Sequence, residues 1–97
     1  MKSNLEQAKE FREAFGVQNS QNLPSRTLQK NLILEEVKEF LEAEGMLFRQ
    51  SLSLHEDALK ELADLVYVCY QYAANMNWDL DEALRRVHQS NMSKLDE

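Results

Sequence analysis

The sequence predicts an all-α chain: a four-helix, bundle-like subunit completed by oligomerisation. Two glycines and one proline in 97 residues are too few for the tight turns of a β protein. Apolar residues return every three or four positions through most of the chain, the period of an amphipathic helix. The length supports a single domain, residues 1–97, in which the 43% of hydrophobic residues cannot all be buried, so an isolated monomer would be marginal.

The first helix is expected from Ser3, as N-cap, through "LEQAKEFREAF" to Gly16, with Leu5, Ala8, Phe11 and Phe15 as its apolar stripe. Residues 17–24, "VQNSQNLP", are polar, end in the sole proline and read as a loop. A second helix starts near Ser25 and runs to Gly45, carrying Leu28, Leu32, Ile33, Val37, Phe40 and Leu41 at helical spacing. After the linker "GMLFRQSL", Ser53 and Glu56 form a capping-box pattern that opens a third helix. That helix should turn Leu59, Leu62, Leu65, Val66, Cys69, Tyr70 and Ala73 inward and end around "ANMN". Asp79 and Glu82 repeat the capping pattern for a fourth helix, with Ala83, Leu84 and Val87 among its apolar positions. Trp78, just before that cap, has two readings: a hydrophobic staple against Ala83, or contact with a ligand's ring.

Composition narrows the function classes. There is no apolar run long enough for a membrane span and no charged leader followed by an apolar core, so a cytoplasmic protein is expected. Cys69, the single cysteine, can form no internal disulfide and fits a reducing compartment. The formal charge is −6, with 17 acids against 11 Lys and Arg and no dense basic stripe, which argues against a nucleic-acid polymer as partner. An anionic substrate would need intervening cations.

Two segments share a pattern of acids. "EVKEFL" (36–41) and "ELADLV" (61–66) both place an i, i+3 carboxylate pair on the edge of an apolar stripe. If the two helices pack antiparallel through those stripes, Glu36, Glu39, Glu61 and Asp64 converge. Like charges so placed repel, and such a cluster persists with bound cations or shared protons. No Glu-x-x-His motif is present and neither His nor Cys clusters, which leaves all-oxygen donors suited to Mg²⁺, or Mn²⁺ in its place. Periodicity alone leaves two readings open, a metal site and an acidic bundle with solvated flanks.

"LEEVKEFLEA" followed, 21 residues after Glu39, by "KELADLVYV" resembles the EExxE…ExxD signature of the MazG-like all-α nucleoside triphosphate pyrophosphohydrolases. That group includes dimeric dUTPases and phosphoribosyl-ATP pyrophosphohydrolase. The resemblance covers the second and third helices closely, and the tail "VHQSNMSKL" is similar to the group's later Asn and Lys positions. It implies hydrolysis between the α- and β-phosphates, with Glu36, Glu39, Glu61 and Asp64 as Mg²⁺ ligands and catalytic residues, and Glu35 off their shared edge. It further implies phosphate or sugar contacts from Asn91 and Lys94, and a homodimer or homotetramer with pockets near subunit boundaries. On position alone Lys30 and Arg12 are further phosphate-contact candidates, and Trp78, Phe11, Phe15, Tyr67, Tyr70 and Tyr72 offer stacking surfaces. His55 and His88 are expected at the surface or an interface. The first reading is therefore a house-cleaning hydrolase of non-standard or excess deoxynucleoside triphosphates, and the second within that class is phosphoribosyl-ATP hydrolysis. From a different class stands a non-catalytic helical module whose acidic edges face solvent or a basic partner.

Overall fold

The computed structural model describes residues 1–96, which form four α-helices: α1 (Asn4–Ala14), α2 (Leu23–Gly45), α3 (Leu52–Met76) and α4 (Leu80–Ser93). Short 3₁₀ turns occupy Leu47–Arg49 and Lys94–Asp96. α2 and α3 make the main hairpin, α1 lies against α3, and α4 packs chiefly on α1.

Local chemistry sets most helix ends. Ser3 caps α1 reciprocally: its hydroxyl accepts from the Glu6 amide and the Glu6 carboxylate accepts from the Ser3 amide, both at 3.1 Å. Gly16, at φ 65°, provides the left-handed residue that lets the Val17 amide turn back to the Arg12 carbonyl at 2.8 Å. The Asp79 side chain accepts from the Glu82 amide at 3.0 Å and opens α4.

Two starts differ from those the sequence pattern predicts. α2 begins at Leu23, because Asn22 caps it by accepting from the Ser25 amide at 2.9 Å and Pro24 fits the first turn, where its missing N–H costs nothing. α3 begins at Leu52 with Ser51 as N-cap, in place of the cap that the Ser53–Glu56 pattern predicts. The Ser51 and Ser53 hydroxyls bond each other at 3.0 Å, and no side chain caps the helix.

The buried stripe of α1 is Leu5, Ala8 and Arg12, one position away from the expected Phe11, so Phe11 and Phe15 lie on the surface. Leu5, Ala8, Tyr70 and Ala74 form the core cluster, with Leu80 packed against it, and the Tyr70 hydroxyl donates to Asp81 at 2.8 Å. This fastens the first turn of α4. Beyond it, no described residue of α4 is buried, and Ala83, Leu84 and Val87 face outward. Leu59, Leu62 and Val66 of α3, expected inward, are also exposed: α3 carries more apolar circumference than α1 and α2 can cover. Ala83 is exposed, and the Trp78 ring leans on Tyr72, 5.7 Å between centroids.

A buried polar knot joins three helices and the 15–22 connection. Arg12, only 3% exposed, donates to Asn75 Oδ1 (2.9 Å), Asn19 Oδ1 (2.6 Å), Gln71 Oε1 (3.3 Å) and the Gln18 carbonyl (3.4 Å). Asn75 Oδ1 also accepts from the Ser20 amide and the Ser25 hydroxyl, and Asn75 Nδ2 donates to the Ser20 carbonyl at 2.8 Å. Burial lowers the Arg12 pKa from its ordinary value. Arg12→Met should keep the aliphatic stem but remove four hydrogen bonds and leave the buried Gln71 Oε1 without a donor, destabilising the chain by about 2–4 kcal/mol in urea unfolding. Asn75→Ala should cost a similar amount, and the double variant less than the sum.

Candidate functional site

α2 and α3 run antiparallel. Gln29, early in α2, shares a cavity with Gln71, late in α3, while Glu36 and Glu39, further along α2, meet Glu61, further back on α3. The i, i+3 spacing turns Glu36 and Glu39 to the same side, and one carboxylate oxygen from each of Glu36, Glu39 and Glu61 lies within 4.8 Å of the others.

The electrostatics of this trio are costly. Glu36 Oε2 and Glu61 Oε2 are buried with no hydrogen-bond partner. The charge of Glu36 pushes the Glu39 carboxyl above the usual range, partial desolvation adds to the effect, and a hydrogen bond with Glu61 opposes it. Three clustered carboxylates, two of them with an unpartnered buried oxygen, form an all-oxygen donor set that suits a hard divalent cation such as Mg²⁺.

Asp64 stands apart from the trio. Its carboxylate accepts from Lys60 Nζ at 2.8 Å, and the same ammonium lies 3.7 Å from Glu61. Lys60 is a neighbour that the motif does not single out, although its i, i+4 spacing from Asp64 is the signal of a helical ion pair. Glu35 is exposed on α2 and outside the trio, although its charge adds to the upward push on Glu39.

The remaining candidates are dispersed. Arg12, expected to contact phosphate, is instead committed to the buried knot, and its hydrogen bonds hold protein oxygens. Lys30 is exposed and, nine residues before Glu39, lies on the opposite side of α2 from it. Asn91 and Lys94 are exposed near the far end of α4, where Lys94 Nζ donates to Asn91 Oδ1 at 3.2 Å. Among the described residues α4 makes no substantial contact with α2, so the pair is not brought to the carboxylates of its own chain. Trp78 borders a small cleft with Leu5, Lys9, Asn77 and Asp79. His55 and His88 are exposed.

Because Glu39 has a raised folded-state pKa, the stability it contributes is present below its ordinary 4.5 and lost as pH rises through the raised value. Without divalent metal, Glu39→Gln should therefore raise the melting temperature at pH 7 and leave it little changed near pH 4. Mg²⁺ should raise the parent's melting temperature more at pH 7 than at pH 4.5, as read by scanning calorimetry.

A family model described as phosphoribosyl-ATP pyrophosphohydrolase matches residues 6–91. The match spans all four carboxylates and Asn91 and stops short of Lys94. No curated protein matches the chain.

Proposed function

This chain belongs to the phosphoribosyl-ATP pyrophosphohydrolase family, one of the MazG-like all-α groups, and on that premise we propose a Mg²⁺-dependent enzyme that cleaves nucleoside triphosphates to monophosphate and pyrophosphate. The family is one of nucleotide pyrophosphohydrolases. The Mg²⁺ dependence of this reading rests chiefly on the convergence of Glu36, Glu39 and Glu61 with two orphaned buried oxygens. The finer reading, a house-cleaning hydrolase of deoxynucleoside triphosphates, rests on the resemblance of this small single domain to the compact house-cleaning members of the group.

In this reading the three glutamates hold Mg²⁺, or Mn²⁺ in its place. Asp64 joins them by releasing Lys60, an exposed ion pair of the kind that contributes about 0–1 kcal/mol and is readily exchanged. Lys60 is then free to meet a phosphate oxygen. Bound Mg²⁺ supplies positive charge against the phosphates and the leaving pyrophosphate and acidifies the attacking water. The carboxylates fix where the phosphates sit and accept the proton that water gives up.

The chain also requires copies of itself in this reading. Its radius of gyration is 16.0 Å, against about 13 Å for a compact domain of this size. Its accessible surface is 7377 Å², where a compact monomer of this mass exposes about 5,800 Å². The excess is larger than the roughly 800 Å² that each partner gives to a standard interface. A homodimer or homotetramer would cover Leu59, Leu62 and Val66, and could bring Asn91 and Lys94 of one chain to the phosphates held by another. A cytoplasmic setting belongs to the same reading: among the described residues no helix is long and apolar enough to cross a membrane, and Cys69 is a free thiol.

Pyrophosphate release from the common ribo- and deoxyribonucleoside triphosphates, with Mg²⁺ and with EDTA, tests the proposal. Metal-dependent release with a monophosphate product is expected, and Glu61→Gln should reduce it by about 10²-fold or more. Phosphoribosyl-ATP belongs in the same panel, because the description of the matching family favours it as a second substrate reading. Silence across the panel, with Mg²⁺ leaving the melting temperature unchanged, would favour a non-catalytic acidic module. Leu62→Glu should shift the chain toward monomer in sedimentation velocity.

A further inference from the structure

Between α2 and α3 lies an open cavity of about 390 Å³, walled on its third side by α1. Its walls are largely apolar, including Phe11, Leu32, Tyr67 and Val68, and the Phe11 and Tyr67 rings meet edge to face at 5.8 Å.

Three polar side chains interrupt this lining, Arg12, Gln29 and Gln71, and their circumstances differ: Arg12 is committed to the buried knot. Gln71 is occupied: its Nε2 donates to the Ala8 carbonyl and its Oε1 accepts from Arg12. Gln29 is 5% exposed, and its Oε1 is buried with no hydrogen-bond partner. Such an orphan is destabilising, and a leucine would suit the same helical, apolar position without that penalty. A buried amide kept at such a cost beside an open cavity points to a ligand that completes its hydrogen bonds.

The cavity's position indicates which ligand. Gln29 precedes Glu36 by seven residues, two turns, so it lies on the same side of α2 about 10 Å along the axis. On α3, Val68 and Gln71 follow Glu61 by seven and ten residues on the matching face. A nucleotide held by its phosphates at the carboxylates has about that reach from phosphate to base edge. A base also has what the cavity lacks: a flat π face for Phe11 and Tyr67, and an edge with donor beside acceptor for a primary amide that presents both.

We infer that this cavity is the base subsite of the nucleotide site, and that Gln29 reads the base edge. The inference rests on the pyrophosphohydrolase reading for the identity of the phosphate end. The ligand class is a purine or pyrimidine nucleotide, and base-free sugar phosphates lack the group the cavity selects.

The test is an NMR titration of the ¹⁵N-labelled full chain in Mg²⁺, following the side-chain amide pair of Gln29, identified by its absence from Gln29→Leu. Adenosine and cytidine monophosphates should move that pair saturably, and ribose 5-phosphate should not. Gln29→Leu should weaken nucleotide binding about tenfold while leaving the Mg²⁺ midpoint unchanged. Gln29→Met serves as a second apolar variant of the same length. An unmoved amide pair, as when a neighbouring copy's side chain fills the cavity, would overturn the inference, as would an equal response to ribose 5-phosphate. Hydrolysis with a silent Gln29 would remove the subsite and leave the enzyme reading standing. A base-dependent Gln29 response without hydrolysis would do the reverse.

Discussion

The structure depends on the side chain of Asn75, one end of which holds α1, the 15–22 connection and the start of α2 at once. Its carbonyl oxygen accepts from Arg12, the Ser20 amide and the Ser25 hydroxyl, and its nitrogen closes the ring on the Ser20 carbonyl. Buried polar groups tolerate little error, because each lost partner leaves a desolvated atom behind. The knot therefore fixes where α2 begins relative to the end of α3. Through the rigid rise of two long helices, that start decides which residues of α2 face which residues of α3 further along.

What faces what is an electrostatic penalty. With the register set at one end of the hairpin, Glu36 and Glu39 are carried against Glu61, and two of their oxygens lose water without gaining a donor. Apolar packing of α2 on α3 holds them there, so binding energy that a plain bundle would keep as stability is stored as an appetite for positive charge. Asp64 escapes the penalty through Lys60. The same groove, between the knot and the carboxylates, holds the cavity where Gln29 keeps an unpartnered oxygen. The Asn75 knot is satisfied at one end of the hairpin, while Glu36, Glu61 and Gln29 keep unpartnered buried oxygens further along it.

Surface burial follows another logic. The isolated chain is expanded, and it leaves a ridge of Leu59, Leu62 and Val66 on α3 and the apolar side of α4 without cover. A chain of this length cannot enclose helices this long: the hairpin's reach exceeds what α1, at 11 residues, can span.

Local rules account for the part of this protein that its sequence determines. The helices, the reciprocal Ser3–Glu6 cap, the Gly16 stop and the in-register acid pairs are legible there, since capping and i, i+3 geometry involve residues a few positions apart. The same rules mislead where two starts compete, as with Ser51 and Ser53, or Asn22 and Ser25, because capping patterns overlap within a few residues. What the sequence leaves undecided is long-range. Arg12 looks like a surface cation until Asn75 and Gln71, some sixty positions away, arrive around it. Phe11 looks like core until the stripe turns by one residue to let that guanidinium in. Periodicity reports that a helix has an apolar side, and only tertiary packing determines how much of that side another element covers. Charge and spacing point to a meeting of Glu36, Glu39, Glu61 and Asp64, of which Asp64 pairs with Lys60 instead. Which oxygens are stripped of partners, and that Gln29 joins them, depends on the antiparallel register that a distant polar knot imposes.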